Sequence, residues 1–288
     1  MRVLRPFPHI WAFYDGRIDG YKWSDQPNWV DDGALSLGIA SYAIVDGNEA
    51  LIYDTHVSVG HARFVRETLQ AAGVTRFVVV LSHWHLDHIA GTEAFADCTI
   101  IANSRTAAHL ARHRAAIEAG THHGAPAVKP LIAPTHTFEG SAHIHVGGLH
   151  IDLVQCNIHS DDATVVWLGH DGLLLAGDTL EDTVTYVSEP ESLGAHLADL
   201  DRLSALEPRR ILPNHGAPDI IADGAYRTAM IGATQGYLRK LTAARTDTDL
   251  RARPLHDWIA PALASGALTW FAAYEAVHAR NLVRVTGT

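Results

Sequence analysis

The chain has 288 residues, of which 47% are hydrophobic and 19% charged; that is enough apolar material for a large buried core, and it excludes a disordered chain. The formal charge of −10, from 22 Lys and Arg against 32 Asp and Glu, disfavours a surface that tracks phosphates, so no nucleic-acid partner is expected. No stretch of about 20 apolar residues occurs and the first residues carry no signal-like apolar run, so no membrane partner and a cytoplasmic location are expected.

In chain order, residues 1–35 are rich in aromatics (Trp11, Phe13, Tyr14, Tyr21, Trp23, Trp29) and read as irregular. Two strand-like runs follow, Ala40–Val45 and Ala50–Tyr53, with Asp46-Gly47 between them as a hairpin signal. A helical pattern begins near Ser58, with Ala62, Val65, Leu69 and Ala72 on one face and Gly73 as C-cap. Phe77–Leu81 is a continuous apolar run of the kind buried strands show. A polar loop, SHWHLDH, comes next, then a short strand at Thr99–Ala102, a helix at about Ser104–Glu118, and a loose segment at about 120–140.

The second half repeats the pattern, with strands at Ala142–Val146, Ile151–Gln155, Thr164–Leu168 and Leu173–Ala176. A helix at about Glu191–Leu206 and a short strand at Arg210–Leu212 follow, and the chain is mostly helical from about 223 to its end. Two halves in which hairpin-linked strands precede helices predict an α/β fold, an αββα sandwich of two mixed sheets flanked by helices. Residues 1–288 are expected to form a single domain, with 223–288 a helical extension packed on it.

Cys98 and Cys156 are too few for a zinc ribbon or a disulfide scaffold and read as two buried small hydrophobes. Histidine is the unusual residue, with 20 copies. Three of them, His83, His85 and His88, lie with Asp87 within six residues, directly after a buried strand. Imidazole nitrogen and carboxylate oxygen suit Zn²⁺ at about 2.0–2.2 Å, and four such donors are too many for one catalytic ion that keeps an open position. Two ions fit better. His143 with His145, and His122 with His123, have no carboxylate at ligand spacing and read as solvated or structural. Trp84 reads as packing between ligand residues, and Tyr186 as a candidate for the pocket wall. The aromatic segment before residue 35 is a candidate cover for the site mouth.

The run His83-Trp84-His85-Leu86-Asp87-His88, followed by Gly91, resembles the HxHxDH signature of the metallo-β-lactamase superfamily. Four further segments resemble that family's motifs in order: the strand-end Asp54, His159 after a mid-chain strand, Asp178 in Ala176-Gly177-Asp178-Thr179, and His215 in Pro213-Asn214-His215-Gly216. The third motif departs from the family pattern, reading His159-Ser160-Asp161-Asp162 without the usual glycine. The resemblance covers about 40–216. It implies that His83, His85 and His159 hold one metal, that Asp87, His88 and His215 hold a second, and that Asp178 bridges them. It gives Asp54 the role of a carboxylate that steadies ligand histidines, although a turn-capping role suits that residue almost as well.

The implied activity is hydrolysis of a small-molecule ester, lactone or thioester by a hydroxide held between two Zn²⁺ per chain, with Fe or Mn as other candidates and Asp87 as the catalytic acid–base. Glyoxalase II and the acyl-homoserine lactonases share this motif set. Asp178 speaks against β-lactamase as the main role, because the best-known zinc β-lactamases lack it. A phosphodiesterase or nuclease on the same two-metal site and a mononuclear-iron, persulfide-dioxygenase-like oxidoreductase stay open, as does homo-oligomer formation.

Overall fold

A computed structural model describes residues 1–287. Two β-sheets pack face to face with helices on their outer faces, the αββα sandwich that the strand and helix order predicts. The first sheet has seven strands in sequence order: β1 (Arg2–Phe7), β2 (Ile10–Asp15), β3 (Ile39–Asp46), β4 (Glu49–Tyr53), β5 (Arg76–Val80), β6 (Thr99–Asn103) and β7 (His136–Phe138). Its first three pairings are antiparallel and the rest parallel. The second runs β12 (Arg210–Pro213), β11 (Leu173–Gly177), β10 (Ser160–Leu168), β9 (Leu149–Ile158), β8 (Ser141–Val146), and only β11 and β12 are parallel.

The N-terminal segment differs from its irregular reading. Its first half forms the β1–β2 hairpin, and β2 pairs along its whole length with β3. Ala12 and Tyr14 face the core between the sheets while Phe13 faces the core under the outer helices, so both faces of β2 are buried and no polar alternation marks it. Similarly, the loose stretch 120–140 contains β7, a three-residue strand too short to carry a periodicity. Cys98 is half-buried where burial was expected, because it sits beside exposed Asp97 at a loop end; Cys156 is buried as expected.

Helix α1 (Val59–Ala71) follows the connection from β4, and Ser58 caps it by accepting from the His61 N–H at 3.2 Å. Ala62, Val65 and Leu69 are buried as their spacing predicts; Ala72 is exposed, since the helix ends there and Val74 takes the inward place. The turn after β5 carries a single helical turn, α2 (Leu86–Ile89), and α3 (Ser104–Glu118) follows β6. Helix α4 (Leu193–Ala205) covers the second sheet through Leu193, Leu200 and Leu203. The C-terminal portion is built from α5 (Pro218–Ala222), α6 (Ala229–Ala243), α7 (Thr248–Arg251), α8 (Leu255–Ala264) and α9 (Tyr274–Thr286). Leu238, Leu255, Trp258 and Tyr274 from these helices share one apolar core with the inner face of the sheets. Among the described residues no helix is long and apolar enough to cross a membrane.

Candidate metal centre

The site forms where strand ends of both sheets meet. The end of β5 delivers Ser82 to His88, β9 delivers His159, β11 delivers Asp178 and β12 delivers His215. Glycine is required at one point of this frame. A Cβ on Gly91 would stand 2.0 Å from the Thr55 carbonyl oxygen and 2.5 Å from the Ala62 Cβ, so only glycine lets the α2 turn pack against the end of β4.

All seven residues that the sequence singles out come together, in two groups. In the first, His85 Nδ1 lies 2.9 Å from both His83 Nε2 and His159 Nε2. In the second, His88 Nε2 is 3.5 Å and His215 Nε2 3.2 Å from Asp87 Oδ2. Asp178 Oδ2 stands between the groups. It is 3.0 Å and 3.5 Å from His88 and His215 Nε2, and 3.8 Å and 3.7 Å from His83 and His159 Nε2.

The far side of each ring fixes which nitrogen is bare. His159 Nδ1 faces the Tyr186 carbonyl at 3.1 Å and His215 Nδ1 the Gly38 carbonyl at 2.7 Å. A carbonyl only accepts, so both rings carry their proton on Nδ1 and, when neutral, present Nε2 as a lone pair. Asp54 does the same for His88, whose Nδ1 donates to Oδ2 at 2.8 Å. Ser82 Oγ donates to that carboxylate at 2.6 Å and therefore accepts from His83 Nδ1 at 2.9 Å. Asn214 Nδ2 and the Ser82 N–H complete the shell of Asp54. Asp54 thus holds ligand-type histidines rather than only capping its turn.

These contacts test whether the residues fit metal ions, and they do. His83 and His159 both aim bare nitrogens at His85 Nδ1, and a neutral His85 has at most one proton there to give. The second oxygen of Asp178, Oδ1, is buried without a hydrogen-bond partner among the described residues. Donor atoms around an ion at about 2.0–2.2 Å lie roughly 2.9–3.6 Å apart, which is the spacing found within both groups. The electrostatics agree. Burial pushes the pKa of His83 and His85 well below the usual value, keeping them neutral. Burial acts the same way on His215, but Asp178 and Asp87 outweigh it and raise that ring to about 9. Asp178 is held far down despite its burial by His88 and His215. The centre therefore calls for positive charge, as proton or as cation.

Sequence reasoning missed Glu181, which no motif flags. It is buried, with Oε1 3.4 Å from His159 Nδ1 and Oε2 accepting from Tyr274 Oη on α9 at 3.1 Å. The unusual third motif also has its explanation. Asp162, where a glycine is usual, is buried and accepts from the Trp84 N–H at 3.0 Å and from Ser160 Oγ, tying this loop to the His83–His88 turn.

A cavity of about 940 Å³ opens onto the centre. Its walls include Trp29 and other residues of 22–34, so the aromatic N-terminal segment does border the mouth. Tyr186 lines it, and Trp84 does so too while stacking on His109 and His113, with ring centroids 5.1 Å and 4.6 Å away. His122 and His123, read from sequence as solvated or structural, also line the wall, and His122 leans on Trp84 at 5.0 Å. From α9, Arg284 stacks over Tyr186 and Arg280 pairs with Asp32 at 3.5 Å across the mouth. Ser188 Oγ and Glu189 Oε2 are buried in the wall with no hydrogen-bond partner among the described residues. The pair His143–His145 lies elsewhere; across the hairpin Asp152 stands in register with His143, and its carboxylate contacts His150 Nε2 at 3.1 Å.

The profile of the metallo-beta-lactamase superfamily matches residues 36–215. A curated protein of Drosophila melanogaster, beta-lactamase-like protein 2 homolog, is 24% identical over 197 residues, 64% of this chain and 60% of that protein. Among solved structures, a metallo-beta-lactamase from Pontibacter korlensis superposes with a TM-score of 0.62 at 16% identity, over 83% of this chain and 98% of that one. The metallo-beta-lactamases DIM-1, in a crystal exposed to ceftazidime, and VMB-1 give TM-scores of 0.60 and 0.61 at 19% and 16% identity. They cover 83% and 84% of this chain and 96% and 97% of their own.

Proposed function

The chain belongs to the metallo-β-lactamase superfamily, whose members are mostly metal-dependent hydrolases, and from that premise we propose that it hydrolyses a small ester, lactone or thioester with two zinc ions. The observation that carries this reading is the place of Asp178 Oδ2, within 3.0–3.8 Å of four imidazole nitrogens drawn from both donor groups. His83, His85 and His159 would hold one ion, Asp87, His88 and His215 the other, and Asp178 both. When bound, such a pair lowers the pKa of a water toward neutrality and polarises the scissile carbonyl.

The chain's own groups have separable tasks in this scheme. Asp54, Ser82, Gly38 and Tyr186 fix the histidine tautomers. Asp87 is the more open carboxylate, with 18% of its side chain exposed against 4% for Asp178. It lines the cavity, which supports it as the group that takes a proton and passes it to the leaving atom. Trp84 and Tyr186 offer apolar faces to an acyl group. Ser188 and Glu189 offer unpaired polar atoms to the substrate's hydrogen-bonding groups, since a buried polar atom left unpaired is costly until a ligand satisfies it.

The test is elemental analysis followed by turnover on a panel of nitrophenyl esters, lactones, thioesters, a β-lactam and bis-nitrophenyl phosphate. Two equivalents of zinc and the highest kcat/KM on an acyl substrate are expected. A single iron with dioxygen-dependent turnover, or preference for the phosphodiester, overturns the proposal.

A further inference from the structure

Three histidines and an aspartate stand together on the outer face of the second sheet, apart from the cavity. Strand β8 is an edge strand, and its register with β9 sets His145 opposite His150 and His143 opposite Asp152. Alternation turns all four outward, while Ile144, Val146, Ile151 and Leu153 face the core. The three histidines are exposed and Asp152 is half-buried.

The chemistry of this patch is specific. His150 Nε2 lies 3.1 Å from Asp152 Oδ1. A carboxylate only accepts, so Nε2 holds the ring proton and Nδ1 of the neutral ring is bare. That Nδ1 faces His145 Nε2 at 3.4 Å. The gap is long for an N–H···N hydrogen bond. It lies at the upper end of the range for two nitrogens bound to one ion at about 2.0–2.1 Å, roughly 2.9 Å at a square-planar corner and 3.4 Å in a tetrahedron, so a small turn of either exposed ring suits both geometries. The His143 ring stacks against His150 with centroids 5.6 Å apart. Its side chain is exposed, and a change of rotamer, which exposed side chains make readily, is what brings its nitrogen to the ion as a third donor.

We propose that His145 and His150, joined by His143, form a surface site for one divalent late transition-metal ion such as copper(II), with Asp152 orienting His150. Imidazole donors without thiolate select copper, nickel and zinc over magnesium or calcium, and copper binds tightest of the three. The site is independent of the reading given to the cavity.

The test uses full-length protein saturated with zinc at the cavity and freed of excess metal. Copper(II) is then added and followed by electron paramagnetic resonance, with zinc content checked before and after. Wild type should take up one copper with nitrogen couplings while its zinc stays in place. The double variant His145→Ala/His150→Ala should lose that copper or bind it at least tenfold more weakly, at unchanged hydrolytic activity. Asp152→Asn should weaken binding by about tenfold, the usual effect of removing a carboxylate behind a ligand histidine. No added copper in wild type, or the same copper at the same affinity in the double variant, overturns the proposal.

Discussion

Tyr274 Oη donates to Glu181 Oε2 at 3.1 Å, and Glu181 Oε1 lies 3.4 Å from Nδ1 of His159. A residue of α9, beyond the segment that matches the family profile, is thereby one hydrogen bond from a carboxylate at the metal centre. Tyr274 and Glu181 are positioning residues in this arrangement. Glu181→Gln should weaken zinc binding by about 10–100-fold, the usual range for a carboxylate behind a ligand histidine, and Tyr274→Phe by less. Tyr274→Phe should also cost about 1–3 kcal/mol of stability by leaving a buried carboxylate oxygen unpaired. Chelator competition on the folded variants reads the first effect and denaturant melts the second. A lower melting point with unchanged zinc affinity would make the pair structural only.

Asp87→Asn keeps size and one oxygen donor but removes charge and basicity. Zinc affinity should fall at the second group, and with zinc restored kcat should remain down by a factor on the order of 10²–10⁴ on a good acyl substrate. Full recovery of rate at full metal content would reduce Asp87 to a ligand alone.

Burial pushes the Glu189 carboxyl up to about 7, against the opposing pull of His159. The folded state thus binds this proton more tightly than the unfolded chain, whose carboxyl titrates near 4.5. Its contribution to stability is full below about pH 4.5 and is lost as pH rises through about 7. Glu189→Gln removes the effect. The variant should match wild type in acid and be more stable above pH 7 by on the order of 1 kcal/mol, the shift being discounted for the part of the carboxyl that meets solvent. Paired thermal melts from pH 4.5 to 8.5 measure it, and parallel curves would refute the assignment.

Gly91→Ala should destabilise the fold, because the added Cβ meets the Thr55 and Ser58 carbonyls and the Ala62 side chain at 2.0–2.8 Å. The cost is expected at about 1–3 kcal/mol or more, since two of these neighbours are backbone atoms that cannot turn aside. A denaturation midpoint equal to wild type would show that the α2 turn can shift.

The amino-acid sequence by itself determines the strand and helix order and the metal-type donors, because both are written locally. His83 to His88 follow a buried apolar run, and Asp178 and His215 each close a short strand, so the pleat and the strand ends place them without knowledge of distant partners. Other features depend on contacts that no local pattern carries. Strand β2 is apolar on both faces and lacks the alternation that marks a half-buried strand. Asp152 lies nine residues beyond His143 and joins it only through the register of a hairpin. Tyr274 reaches Glu181 across 93 positions of chain. Periodicity reports burial against a neighbouring layer. Which carboxylate backs which histidine is fixed only when the two sheets and α9 close around the same cavity.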